Sequence, residues 1–84
     1  MNIIFKFRNQ KGLLQQELAE LINDTVYDLY QIRINVKKQH VSVWENNLVE
    51  SIKTPYVEPA LCELIKVPVG TVNRNMAELY NLKI

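Results

Sequence analysis

The stretch Leu14-Gln15-Gln16-Glu17-Leu18-Ala19-Glu20-Leu21-Ile22 constrains the fold of this chain more than any other. Its apolar positions 14, 18, 21 and 22 recur at helical spacing, and the Ala, Leu, Glu and Gln around them are strong helix formers. Such a helix is stable only if its apolar face packs on other elements. The small Ala19 lets a neighbouring helix approach closely. Upstream, Ile3, Ile4, Phe5 and Phe7 alternate with Lys6, Arg8 and Lys11, and Gly12 follows. Cations in a last turn with glycine just beyond predict a helix over 3–11 and a tight turn at Gly12.

Residues 23–34 leave two readings open. Asn23-Asp24-Thr25 resembles a helix stop, and Val26 to Ile34 is rich in β-formers with partial alternation. The same residues also continue a helical spacing through 18, 22, 26 and 29. An extended second helix and a short strand or hairpin both fit.

Beyond it, Val36, Val41 and Trp44 form an apolar stripe, with Lys37, Lys38, Gln39 and Ser42 around the opposite side. This predicts a short amphipathic helix over about 37–45, stopped by Asn46-Asn47. A loop covers 47–56, and Pro59 suits the first turn of the next helix. Leu61, Leu64 and Ile65 give that helix its stripe up to Val67-Pro68. Thr71 is a suitable N-cap for a last helix carrying Val72, Met76, Leu79 and Tyr80. The expected class is all-α, with five helices.

A chain of 84 residues accommodates one domain, 1–84, without visible repeats or low-complexity segments. An apolar content of 48% argues against disorder. No apolar run approaches the ~20 residues needed to span a bilayer. Charges interrupt the apolar start, so a signal peptide is not expected. A single cysteine, Cys62, forms no internal disulfide and reads as a buried hydrophobe. Together these features favour the cytoplasm and no membrane partner.

Charge distribution says more about partners than the net charge of +1. Between Asp28 and Glu45 lie Arg33, Lys37, Lys38 and His40 but no acid. Removing those three full cations from the ten Lys and Arg leaves seven bases against nine acids elsewhere. A local basic patch on a mildly acidic body suits docking against phosphate on one face. Enzyme chemistry finds little support. One His and one Cys cannot build a zinc site of the usual spacing. Gly12 and Gly70 make no phosphate loop, and the carboxylates are scattered. No cofactor, metal, small-molecule substrate or catalytic residue is expected.

Two pieces carry a family resemblance. Arg8 with Gly12-Leu13-Leu14-Gln15-Gln16-Glu17-Leu18-Ala19, and then Val36-Lys37-Lys38-Gln39-His40-Val41-Ser42-Val43-Trp44-Glu45-Asn46, resemble the phage-repressor (Cro-type, XRE) helix-turn-helix domains. The Val-Ser-x-Trp-Glu-Asn portion is the most specific, and the resemblance covers about residues 3–72. It implies a lambda-repressor-like fold and a regulator of transcription that binds duplex DNA as a homodimer, in a phage or mobile element. By position it implies base contacts from Lys38, Gln39, Ser42 and Val43 in the major groove. Gln39 suits a bidentate contact with adenine, and Val43 a thymine methyl. Phosphate contacts would come from Gln15, Lys37, Asn46 and, in the following loop, Lys53. Gln15 would also brace the third helix, and His40 would lie partly exposed near phosphate. Arg8 and Glu45 would form an ion pair that orients the recognition helix.

The chain departs from that pattern in three places. Leu14 stands where a capping Thr or Ser is usual, and Asn47 replaces the common Gly. The interval from Ala19 to Trp44 is longer than in compact members, which makes 23–34 an insertion within the helix-turn-helix. For its Tyr27 and Tyr30, packing on the core is the favoured expectation.

A rival lies in Leu61 to Leu79, which resembles the helix-turn-helix of winged-helix regulators. There the recognition helix would start at Thr71 and run over 71–80, Asn73, Arg74 and Asn75 would face DNA, and the wing would be absent or cut short at Ile84. In the favoured reading the last two helices close the core, and Met76, Leu79 and Tyr80 offer a dimer contact. A different class also fits: a protein-interaction module with the same helical fold.

Overall fold

The computed structural model describes residues 1–82, so Ile84 and any truncated wing lie outside the described residues. Five helices follow in order: α1 (Ile3–Gln10), α2 (Gln15–Tyr30), α3 (Lys38–Glu45), α4 (Val57–Ile65) and α5 (Thr71–Asn81). The described residues contain no strand, so the all-α expectation holds.

The ambiguous stretch belongs to α2, which continues for 16 residues. Leu18, Ile22 and Val26 stack four residues apart and are all fully buried. Burial on that shared face outweighs the β-propensity of the sequence after Val26. Asn23-Asp24-Thr25 is therefore not a stop. Thr25 turns its hydroxyl back onto the carbonyl of Leu21, at 2.7 Å. The helix ends instead at Gln31, a left-handed cap with φ of 58° whose N–H bonds the Tyr27 carbonyl.

The alternation seen in the sequence also has a structural counterpart. From 32 to 37 the chain is neither helix nor strand, with Ile32, Ile34 and Val36 turned toward the core and Arg33, Asn35 and Lys37 exposed. Residues 23–34 thus form the last two turns of α2 and most of a returning segment. Tyr27 and Tyr30 are not core residues. The Arg33 guanidinium lies 4.4 Å from the Tyr27 ring centroid, and Tyr30 packs on Tyr56 at 5.0 Å between centroids. Val26 fills the interior in their place.

Around α2 the other helices assemble one core. It packs against α3 and α4, α5 packs on α4, and α1 bridges α5 and α3. Ile4, Leu18, Val41, Leu61, Val72 and Met76 are buried completely. Met76 therefore cannot serve a dimer surface, and Leu79 and Tyr80 are half-buried. Gly12 adopts φ of 66° in the turn between α1 and α2, as its position after the first helix requires. Thr71 is not the cap of α5. Gly70 holds that place, and the buried carboxylate of Glu58 accepts the N–H groups of Gly70 (3.0 and 3.1 Å) and Asn73 (3.2 Å). A carboxylate from α4 thus complements the positive end of α5. Cys62 is buried beside it, its thiol donating to Glu58, and burial pushes that thiol above its ordinary pKa. No helix among the described residues is long and apolar enough to cross a membrane.

Candidate functional site

The local sequence that makes α3 also decides which residues face outward. Val41, Trp44 and Glu45 are buried, so the helix presents Lys38, Gln39, Ser42, Val43 and Asn46 on its other side. Lys37, Lys38 and Gln39 are exposed, and the first turn of α3 contains no acid. Ser42 and Val43 are half-buried, and Val43 packs against the edge of the core, which leaves it less surface for a groove contact. The Asn46 amide donates to the Ser42 carbonyl at 2.8 Å and lies 3.3 Å from its hydroxyl. Both side chains thereby help to end the helix. Lys53 is exposed in the loop before α4.

The start of α3 is capped in an unusual way. Lys37 is the N-cap, and its N–H donates to His40 Nδ1 at 2.9 Å. Nδ1 is thus the acceptor that closes the first turn of α3. His40 also stacks on Trp44 with ring centroids 6.0 Å apart. It fills the place of the glutamate in a capping box, and so has a structural role that its basic neighbourhood concealed. Lys37 and Lys38 are the exposed cations at the start of α3, while the exposed Arg33 lies against the Tyr27 ring.

Glu45, the acid of α3, is turned inward. Arg8 Nε donates to its Oε2 at 2.6 Å and Nη2 to its Oε1 at 3.0 Å, while Gln15 Nε2 adds a bond of 3.2 Å. Arg8 Nη1 also donates to the Leu13 carbonyl at 2.9 Å, so the same side chain pins the turn between α1 and α2. The hydrogen bond and charge of Glu45 raise the Arg8 pKa, against the opposing effect of burial. Arg8, Gln15 and Glu45 are thus brought together, and the Gln15 amide faces Glu45.

Sequence reading missed Asn2. This residue is fully buried, accepts the Phe5 N–H at 3.1 Å as the cap of α1, and donates to the Trp44 carbonyl at 2.7 Å. A further bond of 3.1 Å reaches the Asn47 side chain. Asn47 adopts φ of 55°, the left-handed geometry for which Gly is common. A short polar residue ahead of an apolar helix is an N-cap signal, but its attachment to α3 has no local signature.

The rival surface is differently arranged. Asn73 accepts the Ile52 N–H at 2.8 Å, and Asn75 accepts the Ile3 N–H at 2.9 Å. Both residues fasten other parts of the chain to α5, leaving Arg74 exposed between them. No group of three or more His, Cys, Asp or Glu side chains able to hold a metal occurs among the described residues.

No protein-family model matches the chain, and no solved structure matches it at a significant level. A segment of the sesquiterpene synthase Cad of Chamaecyparis formosensis is 31% identical over 65 residues. That segment covers 77% of this chain but 11% of the synthase, so the chain spans a small part of that relative's length. The likeness transfers no activity to this chain.

Proposed function

We propose that this chain binds duplex DNA sequence-specifically through α3 and regulates transcription, acting as a repressor-like homodimer in the cytoplasm. In this reading the five helices adopt a lambda-repressor-like arrangement in which the insertion lengthens α2. The observation that carries it is the two-sided character of α3. Its exposed end has Lys37, Lys38 and Gln39, whereas its acid is withdrawn into a bond with Arg8. A cationic, amide-bearing helix end held by rigid supports is suited to phosphates and to the purine edges of the major groove.

Lys38 and Gln39 are the principal base readers, with Ser42 and the outer part of Val43 beside them. Lys37 and Lys53 meet phosphate, with Gln15 and Asn46 contributing after their role within the fold. Two subunits would read half-sites about one helical turn apart, which supplies the contact area that one small domain lacks. Selection of bound sites from random duplex DNA at two salt concentrations tests the reading. A recovered motif with weaker binding at high salt is expected; recovery of no enriched sequence at either salt would count against it.

A second reading is favoured by one specific surface. Leu29, Tyr30 and Tyr56 are exposed, with the two tyrosines in contact. Aromatic surface of this kind suits a protein partner. Salt-insensitive capture of a partner without DNA affinity would support the interaction module instead.

A further inference from the structure

Asn23 lies inside α2, where a short amide is a poor helix residue unless its side chain is engaged. Its partner is the backbone of Val36. Asn23 Nδ2 donates to the Val36 carbonyl at 3.0 Å, and Oδ1 accepts the Val36 N–H at 2.8 Å. One carboxamide thus pairs with both polar groups of a residue in the returning segment 32–37. It does for this segment what a neighbouring strand does in a sheet.

Val36 directly precedes Lys37, the N-cap of α3, whose N–H is held in turn by His40. A continuous set of bonds therefore runs from the middle of α2 to the helix end from which Lys37, Lys38 and Gln39 project. The opposite end of α3 is held separately, by Asn2 at Trp44 and by Arg8 and Gln15 at Glu45. Losing the Asn23 clamp would leave those attachments intact and loosen the reading end, which Val36 and Val41 still anchor in the core.

We propose that Asn23 is a positioning residue for sequence reading, clamping Val36 so that α3 presents Lys38 and Gln39 at a fixed angle to the groove. This rests on the DNA-binding reading of α3. It gives the insertion a role of its own, because the lengthened α2 and the returning segment become the support of the reading end. Non-specific attraction to phosphate depends on the lysine charges and tolerates a change of angle. Base contacts do not, since bidentate geometry is directional.

The test compares the full-length wild type with Asn23→Ala, and with Asn35→Ala as a control on the exposed side of the same segment. Alanine is the stronger helix former, so α2 itself is not weakened by the first change. Affinity is measured for a duplex selected from a random pool and for an unselected duplex at the same salt. Asn23→Ala is expected to lower the ratio of the two affinities by about tenfold, within the range of one lost bidentate base contact. Its affinity for the unselected duplex should stay within about twofold of wild type, as the charges are unchanged. Amide hydrogen exchange without DNA should accelerate at Val36, His40 and Val41, and remain unchanged in α5. Asn23→Asp, which keeps the acceptor but loses the donor, provides a milder variant should the alanine protein unfold. An unchanged affinity ratio, or unaccelerated exchange at these amides, overturns the proposal. If the wild type binds no duplex, the DNA reading itself fails, and the exchange measurement alone decides whether Asn23 holds α3.

Discussion

Arg8 and Glu45, 37 residues apart, are joined by paired hydrogen bonds of 2.6 and 3.0 Å that tie the first helix to the third. The guanidinium fork matches the carboxylate edge, so the pair fixes direction as well as distance. Its side chains are largely withdrawn from solvent, with 14% of Arg8 and 3% of Glu45 exposed. Screening is correspondingly weak.

Removing one partner leaves the other charge buried. Arg8→Met is therefore expected to destabilise the fold by about 3 kcal/mol, measured by urea unfolding. Replacing both, as Arg8→Met with Glu45→Leu, should cost less than the sum of the single changes. Additive losses would show that the two side chains act independently.

Leu14 offers a gain. It is the N-cap of α2, makes no side-chain cap bond and is 67% exposed. Leu14→Thr should stabilise the protein by about 1 kcal/mol, because a hydroxyl would then satisfy an amide of the first turn. Thermal unfolding measures it, and a lower midpoint would contradict the cap assignment.

Asn2 is the opposite case. Its Asn2→Ala variant loses the cap of α1 and leaves the buried Trp44 carbonyl without its 2.7 Å bond. A loss of about 2–4 kcal/mol is expected by chemical denaturation, from the cap and the unsatisfied carbonyl together. A near-neutral result would mean that the amide is replaceable by water.

Cys62 links stability to alkaline pH. Burial raises its folded pKa, so the native state retains the thiol proton when the unfolded chain has lost it. The resulting stability is complete below the ordinary thiol value and is lost as pH rises through the folded value. Unfolding curves across that alkaline range should show a decline that Cys62→Ala reduces. In the native state the thiol should resist alkylation at neutral pH, because it is both buried and protonated.

Helical spacing made most of the fold legible, since Leu18, Ile22 and Val26 announce one buried face whatever follows them. Residues 23–25 left the choice open because Asn and Thr are locally poor helix residues. What keeps Asn23 in α2 is a partner 13 residues away. The attachments of Asn2 to α3 and of Glu58 to α5 were illegible for the same reason, as each depends on backbone groups of another helix. Tyr27 and Tyr30 illustrate a different limit. Their size suggested core, but α2 turns them outward, where Arg33 and Tyr56 cover one face of each ring. At the candidate site, the outward set from Lys37 to Gln39 followed from the apolar stripe of α3. The Arg8–Glu45 bond was suggested only by resemblance.

The central claim is that Lys38 and Gln39 on α3 meet DNA, and the dependence of duplex affinity on salt tests it most directly. Fluorescence anisotropy of labelled duplex, titrated with wild type, Lys38→Ala, Gln39→Ala and Arg74→Ala across a salt series, gives each slope. Wild type should lose affinity steeply with salt. Gln39→Ala should weaken binding to the selected sequence by ~1–3 kcal/mol with the slope unchanged. Lys38→Ala should reduce the slope by about one if it holds phosphate, or act like Gln39→Ala if it reads guanine. Arg74→Ala should match wild type. Intact binding in both α3 variants, with binding abolished by Arg74→Ala, would contradict the account and transfer the reading helix to α5.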